Sequence, residues 1–150
     1  MSAEQAILQR WIERTLKSYP DGMAGFLGEE RDPFRNPVGH TLRENLTTLL
    51  QELMGTMDQK RVAPALDALV RMRAVQNFSP AEAVRFVFGL RQAVFEVSGA
   101  VPDSLATRID ELALMAFDQY MSCREQIFEL RAKEIRRRAQ YAAFEEGEEP

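Results

Sequence analysis

What this sequence has little of narrows its function first. A single cysteine, Cys123, excludes an intramolecular disulfide and any cysteine-based metal cluster. The single histidine, His40, lies far from it along the chain, so no neighbouring base activates that thiol. No stretch approaches the ~18 consecutive apolar residues that a membrane-spanning helix needs. The start, Met1-Ser2-Ala3-Glu4-Gln5-Ala6, lacks the basic opening and apolar run of a signal peptide. Excess positive charge is missing too. A net charge of −4 argues against a general binder of phosphate backbones. No Walker loop, Gly-x-Gly-x-x-Gly, nucleophile elbow or zinc-ligand helix is present. These absences predict a soluble, cytoplasmic, non-enzymatic protein, with no catalytic residue, metal or cofactor and no membrane or nucleic-acid contact.

What is there is helical. The 150 residues suit one domain, and 45% apolar with 28% charged residues is a globular balance. Ile7, Leu8, Trp11, Ile12 and Leu16 share one face of a helix over about Ala3–Lys17, which stops before Tyr19-Pro20-Asp21-Gly22. Met23–Gly39 is rich in glycine and proline and reads as irregular, with one short helical turn near Met23–Glu29. Its apolar residues Met23, Phe26, Leu27, Phe34 and Val38 predict that it is packed down. Thr41-Leu42-Arg43-Glu44 reads as a capping box opening a second long helix. Asp58 caps a third, in which Pro64 is tolerated as a first-turn residue.

The sharpest boundary is Phe78-Ser79-Pro80-Ala81-Glu82, with Ser79 as N-cap, Pro80 at the first helical position and Glu82 completing the box. The helix that follows, to about Ser98, is apolar nearly all round, so it is central in the fold or covered by a partner. The last helix starts near Asp103 or Ser104 and carries Leu105, Ile109, Leu112, Ala116, Tyr120, Cys123, Ile127 and Leu130 at intervals of three and four. Continuing past Arg138, it is longer than such a domain needs, so its distal end projects or pairs. The fold class is all-α: a single bundle of about five main helices with a long C-terminal helix. Residues 1–144 form the domain and 145–150 an acidic, disordered tail.

Several residues invite a chemical role beside a plainer one. His40 is either a haem ligand or a half-exposed helix-start residue, and the second is the simpler reading. Cys123, on an apolar stripe, behaves as a small hydrophobe. Glu29, Glu30 and Asp32 divide acid and base roles only if burial separates their pKa values; otherwise they are solvated loop charges. An enzyme would use Gly22–Gly39 as a lid bringing these acids over the arginines. Arg71 and Arg73 can each hold a carboxylate or phosphate, but two positions apart they face different ways. Arg73 sits nearer the apolar stripe and is the better candidate for a buried or ligand-facing arginine. The basic run Arg131, Lys133, Arg136, Arg137 and Arg138 complements a helix C-terminus.

Four segments carry a resemblance: Ser18-Tyr19-Pro20; Asp32-Pro33-Phe34-Arg35-Asn36-Pro37-Val38-Gly39; Arg71-Met72-Arg73-Ala74-Val75-Gln76-Asn77-Phe78-Ser79-Pro80; and Ala116-Phe117-Asp118-Gln119-Tyr120-Met121-Ser122-Cys123-Arg124-Glu125. Together they resemble the N-terminal domain of the RsbRD group of RsbT co-antagonists, stressosome-related regulators, from Trp11 to about Arg138. The resemblance implies a helical sensory or regulatory input domain, often fused to a phosphorylatable STAS domain, and it admits a globin-like arrangement. This sequence ends soon after the last helix and reads as a stand-alone form without the STAS half. The family supplies no catalytic residues to transfer. Arg71, Arg73, Gln76, Phe78 and Tyr120 are the candidate ligand or partner site. Phe86, Phe88, Phe95, Ile127 and Leu130 are the candidate dimer or docking surface, and the expected partners are a second copy and a STAS-domain protein. The alternatives are a haem- or small-ligand-binding globin-like sensor and a structural subunit of a larger complex.

One test of the reading is local. Ser79→Ala should cost about 0.5–2 kcal/mol through loss of the cap, measured as a lowered thermal midpoint; an unchanged midpoint would place the helix start elsewhere.

Overall fold

A computed structural model of the chain describes residues 1–147, apart from the side chains at positions 21, 22 and 24. Among the described residues it is all-α, with α1 (Ala3–Leu16), α2 (Asp21–Glu29), α3 (Pro37–Met54), α4 (Gln59–Val75), α5 (Pro80–Ser98) and α6 (Asp103–Gly147). Five of them close a ring: α1 packs on α3, α3 on α4, α4 on α6, α6 on α5, and α5 back on α1. The short α2 bridges α1 and α3. Inside the ring each helix contributes its apolar stripe, including Trp11, Leu46, Leu49, Leu66, Val87, Leu90, Ile109 and Ala116, all without solvent exposure.

Local chemistry starts these helices. Ser2 and Gln5 make a reciprocal capping box on α1. The Asp58 side chain accepts from Lys60 N–H at 3.0 Å to start α4, and Ser79 Oγ accepts from Glu82 N–H at 3.2 Å to start α5. Gly99, at φ 75°, ends α5 in the left-handed conformation that glycine adopts without a Cβ penalty.

The irregular segment departs from expectation at its end. α3 begins at Pro37, four residues before the Thr41 box, because Asn36 supplies a stronger start. Asn36 is buried; its Oδ1 accepts from Gly39 N–H at 2.9 Å, and its Nδ2 donates to Leu27 O and Glu30 O, each at 3.0 Å. One amide side chain thus caps α3 and satisfies carbonyls at the end of α2. Gly39 is needed beside it, since a Cβ there would run into Asn36 Nδ2 and Leu27 O. Only Leu27 of the five apolar residues expected to pack is fully buried; Val38 is half-buried, Met23 and Phe26 are half-exposed, and Phe34 is 96% exposed on a turn. Pro64 is the sixth residue of α4, beyond the first turn, and the helix runs through it without the bond its missing N–H would make.

The over-apolar helix is central. α5 buries Ala83, Phe86, Val87, Leu90, Ala93 and Val94 and contacts α1, α4 and α6. α6 spans 45 residues, roughly 67 Å at ~1.5 Å per residue, yet its last buried residue is Cys123. It includes Glu145–Gly147, the first half of the expected acidic tail; positions 148–150 lie outside the described residues.

The two starts proposed for α3 separate by mutation. Asn36→Ala removes the cap and leaves the buried Leu27 carbonyl and the part-buried Glu30 carbonyl without this donor, and should cost about 2–3 kcal/mol, whereas Thr41→Ala, inside the helix, should stay within about 0.5 kcal/mol. Chemical denaturation measures both; equal losses would refute the Asn36 start.

Candidate functional site

The most unusual side chain in the molecule is Arg73, a cation 1% exposed. The end of α4 places it. Asn77 adopts φ 67°, a left-handed conformation that asparagine tolerates, and the chain reverses there. Asn77 N–H bonds Ala74 O and Phe78 N–H bonds Arg73 O, each at 3.2 Å, closing a Schellman motif. The residue after the reversal normally makes an apolar contact back onto the helix, and here Phe78 lies 4.3 Å from the Arg73 guanidinium carbon. Two residues later Pro80 opens α5, so one tight connection carries Arg73, Phe78 and Phe86 toward each other.

Three rings surround the guanidinium, with Phe78 at 4.3 Å, Phe86 at 5.6 Å and Tyr19 at 5.9 Å from centroid to Cζ. Arg73 Nη2 donates to Glu82 O at 2.7 Å and Nη1 to Ser18 Oγ at 3.2 Å. The Ser18 hydroxyl donates onward to Thr15 O at 2.6 Å. Arg73 Nε is buried with no partner, and among the described residues no carboxylate forms an ion pair with Arg73. Burial lowers its pKa, and the nearby Tyr19 and Glu82 oppose that shift. An arginine stays charged under such a shift, so the site holds a positive charge in an apolar setting.

Tyr19 closes the cluster. Its hydroxyl donates to Gln76 Oε1 at 2.9 Å and its ring meets Phe78 edge-on at 5.6 Å. Burial raises its pKa; Arg73 and the Gln76 bond pull the other way without cancelling that effect. Tyr120, from α6, donates to Phe78 O at 2.8 Å and pins the connection from the far side. The helices α1, α4, α5 and α6 therefore meet at Phe78.

On the α1–α5 side Arg73 lines a pocket of about 400 Å³ with Arg14, Thr15, Ser18, Arg85, Phe86, Phe88, Gly89 and Gln92. Arg14 donates to Gln92 at 2.6 Å and pairs with Glu96, and Arg85 pairs with Glu82 at 3.3 Å.

Of the sequence candidates, Arg73, Gln76, Phe78 and Tyr120 are brought together. Arg71 is not; it faces α6, pairing with Asp67 at 3.3 Å and donating to Gln126 at 3.2 Å. Glu29, Glu30 and Asp32 do not line the Arg73 pocket, so the arrangement expected of a lid enzyme is not formed. Phe86 is 4% exposed, inside the core and stacked on Trp11 at 6.5 Å, which corrects its assignment to a docking surface. Phe88 and Phe95 are exposed, Leu130 is exposed and Ile127 half-buried. His40 is exposed beside Glu44 at 3.0 Å, and Cys123 is buried, its thiol pKa pushed up by desolvation. Sequence reasoning missed Ser18 and Tyr19 as site members, although the Ser18-Tyr19-Pro20 segment stood out, and it missed Arg14 and Arg85, which no local pattern marks.

A second surface lies on α6. Beyond Cys123, the series Ile127, Leu130, Glu134, Arg137, Tyr141 and Phe144 continues the inward stripe at spacings of three and four. Leu130, Tyr141 and Phe144 are exposed, and Glu134 pairs with Arg137 at 2.8 Å. Among the described residues, no helix is long and apolar enough to cross a membrane, and no group of three or more His, Cys, Asp or Glu side chains is placed to hold a metal ion.

The family described as the RsbT co-antagonist protein rsbRD N-terminal domain matches residues 5–135. A relative in Archaeoglobus fulgidus, an uncharacterized protein, is 30% identical over 134 residues, covering 85% of this chain and 82% of the relative. No solved structure matches.

The raised Tyr19 pKa makes a signed prediction. Unfolded tyrosine ionises near 10.0, while folded Tyr19 resists until higher pH, so its stabilising contribution is complete below 10.0 and is lost as pH climbs through the folded value. Tyr19→Phe should lower stability near neutrality by about 1 kcal/mol and flatten the alkaline decline relative to the native protein. Urea titrations at stepped pH read both effects; parallel pH profiles would refute the assignment.

Proposed function

The chain belongs to the RsbT co-antagonist protein rsbRD N-terminal domain family, and from that premise we propose a non-enzymatic regulatory domain that pairs through α6 and responds to a bound partner or small ligand. The observation that carries the pairing is the length of α6. More than twenty residues follow its last buried position, and they keep a coiled-coil spacing with apolar residues facing water.

The occupant that fits this face is a second copy running antiparallel. About a centre between Glu134 and Arg137, each Leu130 meets Tyr141 of the second copy, each Ile127 meets Phe144, and each Glu134 meets Arg137. A parallel pair would set Glu134 against Glu134 and Arg137 against Arg137, a repulsion that disfavours it. In this reading the domain works in the cytoplasm, and a STAS-domain protein is the further partner that the family implies.

Light scattering tests it. The expected mass is twice 17.1 kDa at micromolar concentration. Glu134→Arg should weaken the pair by placing arginines together, and adding Arg137→Glu should restore it. A monomeric native chain, or no rescue in the double variant, would refute the pairing.

A further inference from the structure

We propose that the pocket between α1 and α5 at Arg73 binds a small organic monocarboxylate. This deepens the ligand-binding part of the proposed function and does not depend on α6 pairing. Three arginines, Arg14, Arg73 and Arg85, line the pocket, and among the described residues no acidic residue does. In a chain of net charge −4 that concentration of positive charge is local and specific. Arg14 has Glu96 beside it and Arg85 has Glu82, so the cation without a carboxylate partner is Arg73. Glu96 is shared with Arg10, so the buried part of the positive charge is the single guanidinium of Arg73, and one desolvated charge suits a monoanion better than a phosphate dianion.

The donor count agrees. A guanidinium carries five N–H groups, and Arg73 uses one for Glu82 O and one for Ser18 Oγ. Nε–H is buried without an acceptor, and buried donors of a charged group are strongly disfavoured when unpaired. Arginine's flat fork also matches the carboxylate plane. The remaining wall is mixed, with Phe86, Phe88 and the bare backbone of Gly89 beside the polar Thr15, Ser18 and Gln92, and the volume of about 400 Å³ fits a short aliphatic or single-ring body.

Gly89 provides a clean variant. A methyl group there would meet only ordinary contacts, 3.8 Å from Trp11 Cδ1 and 3.9 Å from Arg14 Cβ, so alanine fits the fold while narrowing the pocket. The same distances put the chain's one tryptophan against the site as a fluorescent reporter. The full-length protein is titrated with benzoate and phenylacetate, with benzamide as the uncharged match and inorganic phosphate as the dianion, following Trp11 emission and heat.

Saturable one-site binding of a carboxylate at up to millimolar concentration is expected, with benzamide and phosphate each weaker by roughly tenfold or more. Gly89→Ala should keep the thermal midpoint and weaken the carboxylate by a similar factor, and Arg85→Gln, at an exposed position, should weaken it in the same direction. No saturable heat or fluorescence change with either carboxylate would overturn the proposal. So would benzamide or phosphate binding as tightly, or a folded Gly89→Ala protein that binds as well as the native one.

Discussion

The desolvated charge of Arg73 is the constraint on which this structure turns. Taking a guanidinium out of water costs several kcal/mol unless rings and acceptors replace the lost hydration. Those replacements come from three separate stretches of chain: Ser18 and Tyr19 after α1, Phe78 in the α4–α5 connection, and Glu82 and Phe86 in α5. Each must arrive in register, so the site that positions the arginine also sets how α1, α4 and α5 meet. Tyr120 ties α6 to the same point through Phe78 O. A bundle of apolar stripes alone tolerates sliding and repacking; a buried cation with directional partners does not.

A ligand bound at the proposed pocket would touch the same joint. The pocket wall is built from α1 and α5, and its charged floor is the residue that joins them to α4. An anion on Arg73 would change the balance of a group already shared by three helices. α5 in turn packs along α6, the helix whose far half extends beyond the core.

Much of this was legible from one-dimensional pattern. The start of α5 at Ser79-Pro80, the Asp58 cap, the central apolar helix and the overlong last helix all follow from short-range chemistry, because caps and amphipathic periods act within a few residues. Arg73 stood out as the better of two arginines from its place beside an apolar stripe. The α3 start differs from the sequence expectation because Thr41-Leu42-Arg43-Glu44 looks like a box, while Asn36 acts through carbonyls at the end of the preceding helix that no local pattern discloses. Phe86 falls among the candidate surface residues because a helix apolar all round does not say which of its sides the neighbours cover.

Sequence alone thus determines the class, the five long helices and most of their boundaries, since each depends on residues three or four apart, while α2 is read there only as a short turn. Tertiary structure decided which charges are buried and what they face. Ser18 and Arg73 are 55 positions apart, and Phe78 and Tyr120 are 42 apart. Contacts over such separations depend on how the helices close into a ring, and the energy that selects that closure belongs to the whole core and not to any segment of it.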